Sequence, residues 1–364
     1  MATSATGAST RHGPSQTLRR VLLFAGIAVV LGVGLWILAP SFYRPANLLN
    51  VARQASFVGV IAIGQTFVIL TGGIDLSVGA ASAVCGVITA ELAIRGWPPE
   101  LILIAVLALG ALIGLVNAIG VTNLKMQPFI MTLASTVALT GVALIISHAG
   151  PVLFVTPGNL TPIDISGPIW QLLGSGDIAG IPGPALIFAI VTIAATLALR
   201  YLAFGRYIYA VGGSIEAARL SGVRTNRTIG SAYVISGMCA GLVGMMVAAR
   251  LQTGDPNAGS LANLDSITAV VMGGTSLMGG AGGVVGTAVG ALVLGFLSNA
   301  MNLIGIDPYS QYVVKGFVIV AAVLFAQRAA SGRLAERRVA TTDLPKAAGP
   351  GPDTSGSGGG SPLL

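Results

Sequence analysis

The residues best suited to chemistry lie in one glycine-rich run, Thr71–Gly79, which separates two long apolar segments. The segment before it, Ala55–Leu70, has no charged residue, so Asp75 lies at or near the edge of an apolar layer. A carboxylate there is costly unless it faces water, protein or a helix end. Gly72 and Gly73 precede it and allow a sharp turn of the backbone. The run therefore predicts a functional break between two membrane helices.

Two interpretations of this break are compatible with each other. In the first, an unwound or re-entrant segment lines a path through the membrane or its inner gate, because irregular backbone at membrane depth must be satisfied by protein or water. In the second, Asp75 is simply an N-cap for the next helix. Polar residues inside the apolar spans either line the same path or bond helices to each other. The candidate path and gate residues are Gln65, Gly72, Gly73, Asp75, Ser77 and Asn117.

A second candidate element is the polar stretch 204–223, which lies between two apolar spans. Ser214 is a good N-cap, and Glu216 falls in the first turn, where the helix dipole favours an acid. Gly222 is a good helix stop. The pattern predicts a short helix that cannot be stable alone. It must therefore dock, either onto a cytoplasmic partner protein or onto anionic lipid.

The amino-acid composition indicates which class of protein contains these two candidate elements. Of the 364 residues, 54% are hydrophobic and 9% are charged, whereas soluble domains average about 25% charged. The predicted class is an all-α polytopic membrane protein. The basic residues behind the net charge of +7 are scattered, so they do not predict a nucleic-acid partner. Cys85 and Cys239 are expected to be small buried hydrophobes, and with two His and no Cys/His cluster we expect no metal site.

Hydropathy predicts about ten transmembrane helices, since one span needs roughly 20 apolar residues. The predicted spans are 21–39, 51–71, 76–94, 101–121, 126–147, 185–203, 229–249, 266–281, 284–304 and 310–327. The eighth and ninth lie within Ser266–Ile306, 41 residues without a charge, which can cross twice if the chain bends at Met278–Gly283. Lys315 is close enough to the end of the last span to snorkel to the outer interface, with a gating or counter-ion role as the alternative. Pairs such as Gly110/Gly114 and Gly237/Gly241 predict helix-packing faces.

The distribution of Lys and Arg predicts that both termini are cytoplasmic. Both ends and the loop 204–228 are basic, whereas the loop 148–184 has no Lys or Arg and is expected to be periplasmic. The predicted organisation is a disordered cytoplasmic arm (1–18), a transmembrane domain (19–328) and a disordered cytoplasmic tail (329–364) that is first basic and then rich in Gly, Pro and Ser.

A glycine motif that occurs twice, here called the echo, suggests an internal repeat. Gly72-Gly73 and Val78-Gly79 recur as Gly279-Gly280 and Val285-Gly286, at an offset of 207 residues. Transporters often contain such structural repeats. Chance is the alternative, because the chain has 51 glycines.

Several chemistries have no motif in the sequence. No Lys lies in a G-x-x-x-x-G-K-[ST] loop, so the chain has no visible means of hydrolysing ATP. A buried proton relay needs several acids or histidines within spans, and only Asp75 and Glu91 come near. No nucleophile–base pair points to catalysis. We therefore expect a transporter subunit without catalytic residues rather than an enzyme.

Three motifs in the same order carry a family resemblance: Leu70–Gly79, Gly205–Gly222 and Leu264–Leu277. They resemble those of the permease subunits of ribose-type ATP-binding cassette (ABC) importers, a family that includes xylose and galactose permeases. The resemblance covers most of the chain between the arm and the tail. Two departures are mild, since Ser214 stands where such permeases usually have Asn, and Val223 where Ile is common.

The resemblance implies a mechanism and partners. Two permease chains in the bacterial inner membrane would form the pathway, and a periplasmic or lipid-anchored binding protein would deliver a monosaccharide. Separate ATPase subunits, which carry ATP and Mg, would grip the short cytoplasmic helix, so this chain itself would hold no cofactor. Asp75, Gly72 and Gly73 would lie near the pathway. The residues implied in ATPase coupling are Gly212, Ser214, Glu216, Ala217, Ala218, Arg219 and Gly222.

Other functions stay open at the level of sequence. Within the same group, the substrate could be a nucleoside, a polyol or a branched-chain amino acid. A different class is an ion-coupled secondary carrier, which would need no ATPase and should stop working with a protonophore. A membrane enzyme is the least supported reading.

Overall fold

The computed structural model of the chain describes residues 40–156, 161–307, 309–321 and 324. The helices in chain order are α1 (Pro45–Leu70), α2 (Val78–Ile94), α3 (Pro99–Thr122), α4 (Pro128–Ile146), α5 (Pro168–Leu173), α6 (Gly183–Tyr201), α7 (Ala203–Gly213), α8 (Ile215–Leu220), α9 (Thr225–Leu251), α10 (Ala262–Met272) and α11 (Val284–Leu303). A 3-10 turn, Pro40–Tyr43, precedes them, and residues 309–321 are helical. The short strands are β1 (Val152–Leu153), β2 (Asp177–Ile178), β3 (Ile181–Pro182) and β4 (Thr253–Gly254).

Within the described residues, six helices are long and apolar enough to cross a membrane: α1, α3, α4, α6, α9 and α11. They coincide with predicted spans, and α2 matches a further one with 17 residues. The first predicted span, 21–39, lies outside the described residues, as do the arm 1–18 and the tail 329–364. The total of ten spans and the sidedness of the termini therefore stay predictions.

The eighth predicted span, 266–281, differs from the structure. Helix α10 has 11 residues, about 16 Å at 1.5 Å per residue, and so cannot cross a bilayer core about 30 Å thick. It ends before Gly274, whose φ of +84° suits glycine and turns the chain out of the helix. In the non-helical stretch before it, 255–261, Gly259 is buried against Gly79, whereas Asn257 and Ser260 are exposed. The predicted bend at Met278–Gly283 is confirmed, since the chain there is not helical.

Helix α9 is the centre of the bundle, where it packs against α1, α2 and α3. The close approach of α9 to α3 depends on glycine residues in both helices. A Cβ added to Gly237 would overlap the carbonyl oxygen of Gly110, and one added to Gly110 would lie 3.3 Å from the Gly241 Cα. Small residues at such crossings let helix backbones meet in lipid. The predicted packing faces are therefore confirmed.

Residues 148–156 and 161–184 form a layer at one end of the bundle, here called the cap. Antiparallel pairing joins β2 to β3 within it, and β1 to β4 beyond α9. An ion pair of 2.7 Å between Arg53 Nη2 and Asp177 Oδ1 ties the start of α1 to the cap. Trp170 of the cap shares a cleft with Ile94 at the end of α2. Helix α1 thus begins at the cap end and α2 returns to it.

Candidate functional site

The predicted break after α1 is present, and glycine makes it. Gly72 has a φ of +83°. Its N–H donates to the Ile69 carbonyl at 2.9 Å, and the Gly73 N–H donates to the Val68 carbonyl at 3.1 Å. These bonds satisfy carbonyls at the end of the helix, as glycine commonly does at a C-terminus. The chain then runs without helical structure to Val78, where α2 begins.

The unwound backbone lies inside the bundle and is satisfied by side chains. Gln65 on α1 faces it. With its side-chain amide oriented to match the neighbouring backbone, its nitrogen donates to the Asp75 carbonyl at 3.2 Å and its oxygen accepts from the Asp75 N–H at 3.1 Å. Thr132 Oγ1 on α4 donates to the Ile74 carbonyl at 3.3 Å. Irregular backbone at membrane depth requires such partners. Gln65 therefore belongs to the site through its contact with the backbone of the break.

Asp75 is 1% exposed, and both oxygens of its carboxylate accept hydrogen bonds. Its Oδ1 accepts from the Ser77 N–H at 2.9 Å and from Ser77 Oγ at 2.6 Å, while Oδ2 accepts from Ser236 Oγ on α9 at 3.0 Å. The bonded N–H precedes the first residue of α2, so Asp75 forms a local turn before the helix and is not its N-cap. The carboxylate joins the break to α9.

The network continues across the bundle. Asn117 Nδ2 on α3 donates to Ser77 Oγ at 2.8 Å, and Ser135 Oγ on α4 donates to Asn117 Oδ1 at 2.5 Å. Of the six path candidates, only Gly72 is exposed, whereas the others are buried. In this conformation the side chains of Gln65, Asp75, Ser77 and Asn117 form hydrogen bonds that hold the break and the helices around it together. A path-lining role stays a prediction.

Glycine turns from three distant parts of the chain meet at the end of the bundle opposite the cap. The Gly280 N–H donates to the Leu70 carbonyl at 3.0 Å. A Cβ on Gly212, in the last turn of α7, would overlap that carbonyl oxygen and lie 2.5 Å from Gly280 N. A Cβ on Gly279 would lie 2.9 Å from Gly72 N and 3.0 Å from the Gly212 oxygen. These five residues are called the glycine junction here.

The junction links the break to α7 and α8. Tyr209 Oη on α7 donates to the Gly282 carbonyl at 2.9 Å, and its partial burial raises the pKa of this phenol, so it stays neutral and able to donate. The two glycine pairs noted in the sequence, at 72 and 279, are therefore neighbours in space. The position of Gly212 between these two pairs is not indicated by any pattern in the sequence. Whether the echo is a repeat stays a hypothesis.

The short helix α8 forms as predicted. Ser214 Oγ accepts from the Ala217 N–H at 3.2 Å, as an N-cap does, and Gly222 takes the left-handed φ of +82° after the helix end. Glu216 and Arg219 pair at 2.8 Å on the exposed face, and both side chains are about two-thirds exposed. Ala218 is buried, whereas Leu220 is 79% exposed. The helix thus rests on the bundle by one face and presents charged and apolar groups on the other.

Lys315 does not snorkel. Its Nζ donates to Asp265 Oδ2 on α10 at 2.8 Å, and the two side chains are only 20% and 17% exposed. The counter-ion alternative for Lys315 therefore fits the structure, whereas no local pattern in the sequence indicates Asp265 as its partner. Among the described residues no group of His, Cys, Asp or Glu could hold a metal ion. Cys85 and Cys239 are buried free thiols.

A helical bundle with a cap, a broken helix inside the apolar layer and an exposed short helix at the other end defines a multi-pass membrane permease. The family model described as "Branched-chain amino acid transport system / permease component" matches residues 47–323. The chain belongs to this family of bacterial inner-membrane permeases. It is a transporter component and not an enzyme, and the resemblance noted in the sequence is confirmed.

Curated relatives agree with this assignment. The chain is 41% identical over 285 residues to the ribose import permease protein RbsC of Haemophilus influenzae, covering 78% of this chain and 86% of the relative. It is 42% identical over 287 residues to RbsC of Escherichia coli, covering 79% and 87%. Over 363 residues it is 32% identical to the xylose transport system permease protein XylH of Escherichia coli, covering 85% and 92%. No solved structure matches the chain.

Proposed function

We propose that the protein is the pathway-forming permease subunit of an ATP-driven ABC importer for a monosaccharide similar to ribose, xylose or galactose. The observation that carries the proposal is the match to relatives named as ribose and xylose permeases over more than three-quarters of the chain. The family description names branched-chain amino acids. An amino acid, a nucleoside or a polyol is therefore the alternative substrate within the same mechanism.

Helix α8 is the proposed docking element for the ATPase. Support comes from its shape, because it projects Glu216, Arg219 and Leu220 into solvent while Ala218 anchors it to the bundle. A six-residue helix gains little stability from itself, so its capping and anchoring favour a docking role over a passive connector. Gly212, Ser214, Ala217 and Gly222 would set its position rather than touch the ATPase.

The glycine junction is the proposed route by which α8 moves the pathway. Gly212 is two residues before Ser214, the N-cap of α8, and its backbone packs directly on Leu70 and Gly280. Leu70 in turn ends α1 at the break that contains Asp75 and Ser77. Because packed backbones cannot slide independently, a displacement of α8 would be passed to both glycine turns at once. Gln65 and Asn117 would then guide the break between two hydrogen-bonded arrangements.

The proposed partners follow from the same mechanism. They are a second copy of the permease, an ABC ATPase that carries ATP and Mg, and a periplasmic or lipid-anchored sugar-binding protein that docks on the cap. Apolar side chains such as Val137 and Ile145 on α4 are 70% and 76% exposed. Such a surface requires lipid or the second permease copy to cover it.

Uptake of labelled solutes by the native host tests the proposal. A strain without the gene should lose uptake of one monosaccharide, and a plasmid copy should restore it. Restored uptake should persist with a protonophore and stop when arsenate depletes ATP. Uptake that stops with the protonophore while ATP stays high would instead establish a secondary carrier. Loss of branched-chain amino acid uptake alone would overturn the sugar assignment.

A further inference from the structure

A cavity of about 270 Å³ lies between the break and the cap end. Its walls come from α1, α2, α9 and the non-helical segment that leads into α10. At about 30 Å³ per water, this space corresponds to roughly nine water molecules. It is slightly smaller than the range of about 300–1,000 Å³ typical of small-molecule sites.

The lining of the cavity combines polar and aromatic groups. Asp265 and Lys315, the largely buried ion pair, lie on one side, and Asp255 contributes a further carboxylate. Phe57 and Tyr312 add aromatic rings. Ser82 and Ser260 add hydroxyls to the same lining. Carboxylates accept hydrogen bonds, an ammonium donates them, and hydroxyls do both.

This chemistry fits a neutral solute rich in hydroxyl groups. The two carboxylates and one ammonium give the lining a net charge of −1, which disfavours anionic solutes such as sugar phosphates or amino acids held by their carboxylate. Charge-assisted hydrogen bonds to sugar hydroxyls are stronger than neutral ones. An aromatic ring can pack against the apolar face of a sugar ring.

Helix α2 contributes Ser82 to the cavity wall, one turn after the start of the helix, where Ser77 bonds to Asp75. Gly79 and Gly259 meet there backbone to backbone, and a Cβ on Gly259 would lie 2.9 Å from Ser82 Oγ. Ser82 Oγ in turn donates to the Gly79 carbonyl at 2.8 Å. The cavity thus borders the helix that the proposed coupling would move.

We infer that this cavity is the substrate-binding site of the permease, and that the Asp265–Lys315 pair binds the hydroxyls of a monosaccharide in it. The inference rests on the proposed function for its substrate class. It does not depend on the ATPase, because binding to the cavity can be measured on the permease alone.

The test uses the double variant Asp265→Asn/Lys315→Met, which leaves no unpaired buried charge. Removing one side of a charged hydrogen bond weakens binding by about tenfold or more. We therefore expect the Kd of ribose or xylose, measured on the purified permease without binding protein or ATPase, to rise at least tenfold in the double variant. The matched control, Asp177→Asn, breaks the Arg53 ion pair outside the cavity and should leave this Kd unchanged. Equal Kd values for the double variant and the wild type would overturn the inference.

A second measurement covers a double variant that fails to fold. Ser260→Cys places a thiol in the cavity wall, and the native cysteines are buried. With purified permease and a small methanethiosulfonate reagent, ribose or xylose should slow labelling of Cys at 260 severalfold. The exposed cap position Ser166→Cys is the control and should label at the same rate with and without sugar. Labelling at 260 that is unaffected by either sugar refutes the site, whereas uptake that needs no ATPase refutes only the proposed function.

Discussion

The contact of Gly212 with Leu70 and Gly280 makes a sharp prediction about coupling. Gly212→Ala would push a methyl group between the Gly280 N–H and the Leu70 carbonyl, which are hydrogen-bonded at 3.0 Å. The neighbour Gly213 provides a matched control, because nothing lies within 4 Å of a Cβ added there. Both substitutions add one methyl group in the last turn of α7. They differ only in the atoms that this methyl group contacts.

The magnitude follows from the geometry. The added Cβ would lie 2.5 Å from Gly280 N, about 0.9 Å inside the 3.4 Å at which ordinary van der Waals contact begins. The neighbouring atom is backbone, so the turn itself must move and its hydrogen bond must break. Overpacking of this kind costs about 1–3 kcal/mol, and about 1.4 kcal/mol corresponds to a factor of ten. Gly213→Ala should instead favour the helix slightly.

The assay is uptake of the sugar by cells together with copurification of the ATPase. We expect Gly212→Ala to lower uptake about tenfold or more while the ATPase still copurifies, because the exposed face of α8 is unchanged. Gly213→Ala should transport at the wild-type rate. Equal uptake in the two variants, whether both normal or both lost, would refute the idea that the junction transmits movement.

Three further predictions concern the broken helix. Gln65→Leu leaves the buried Asp75 N–H and carbonyl without partners, at about 1–3 kcal/mol each, so the purified protein should melt at a lower temperature. Tyr233→Phe should leave the melting temperature unchanged, since that buried hydroxyl has no hydrogen-bond partner among the described residues. Asp75→Ala removes acceptors for Ser77 and Ser236 and should lower both stability and transport. Normal uptake by this variant at equal expression would show that Asp75 is dispensable for transport.

Features set by neighbouring residues could be predicted from the sequence. The turn at Gly72, the N-cap at Ser214 and the stop at Gly222 all depend on side chains or φ angles within a few residues. Six long spans could be predicted from hydropathy for the same reason, since each consists of one continuous apolar stretch. The short helix α8 likewise has its cap and stop within its own stretch.

Features that join distant parts of the chain could not be predicted. Lys315 forms an ion pair with Asp265, which lies fifty residues earlier in the chain. No local sequence pattern indicates that partner. The prediction of a membrane span at 266–281 is wrong because hydropathy counts apolar residues and does not detect that α10 ends before Gly274. The glycine junction depends on three chain segments that meet only in the folded bundle, although the glycines themselves were visible.

Copurification from the native host in mild detergent tests whether α8 couples this permease to an ATPase. The informative variant is Glu216→Arg, on the exposed face of α8. Its matched control is Glu91→Arg, which disrupts the i,i+4 pair with Arg95 at the cap end. Exposed pairs of this kind contribute at most about 1 kcal/mol, so both variants should reach the membrane in normal amounts. We expect a stoichiometric ATPase with the wild type and with Glu91→Arg, and its loss with Glu216→Arg. An ATPase that stays bound to Glu216→Arg would contradict the coupling role of α8, and a wild-type protein that purifies without any ATPase would contradict the importer mechanism itself.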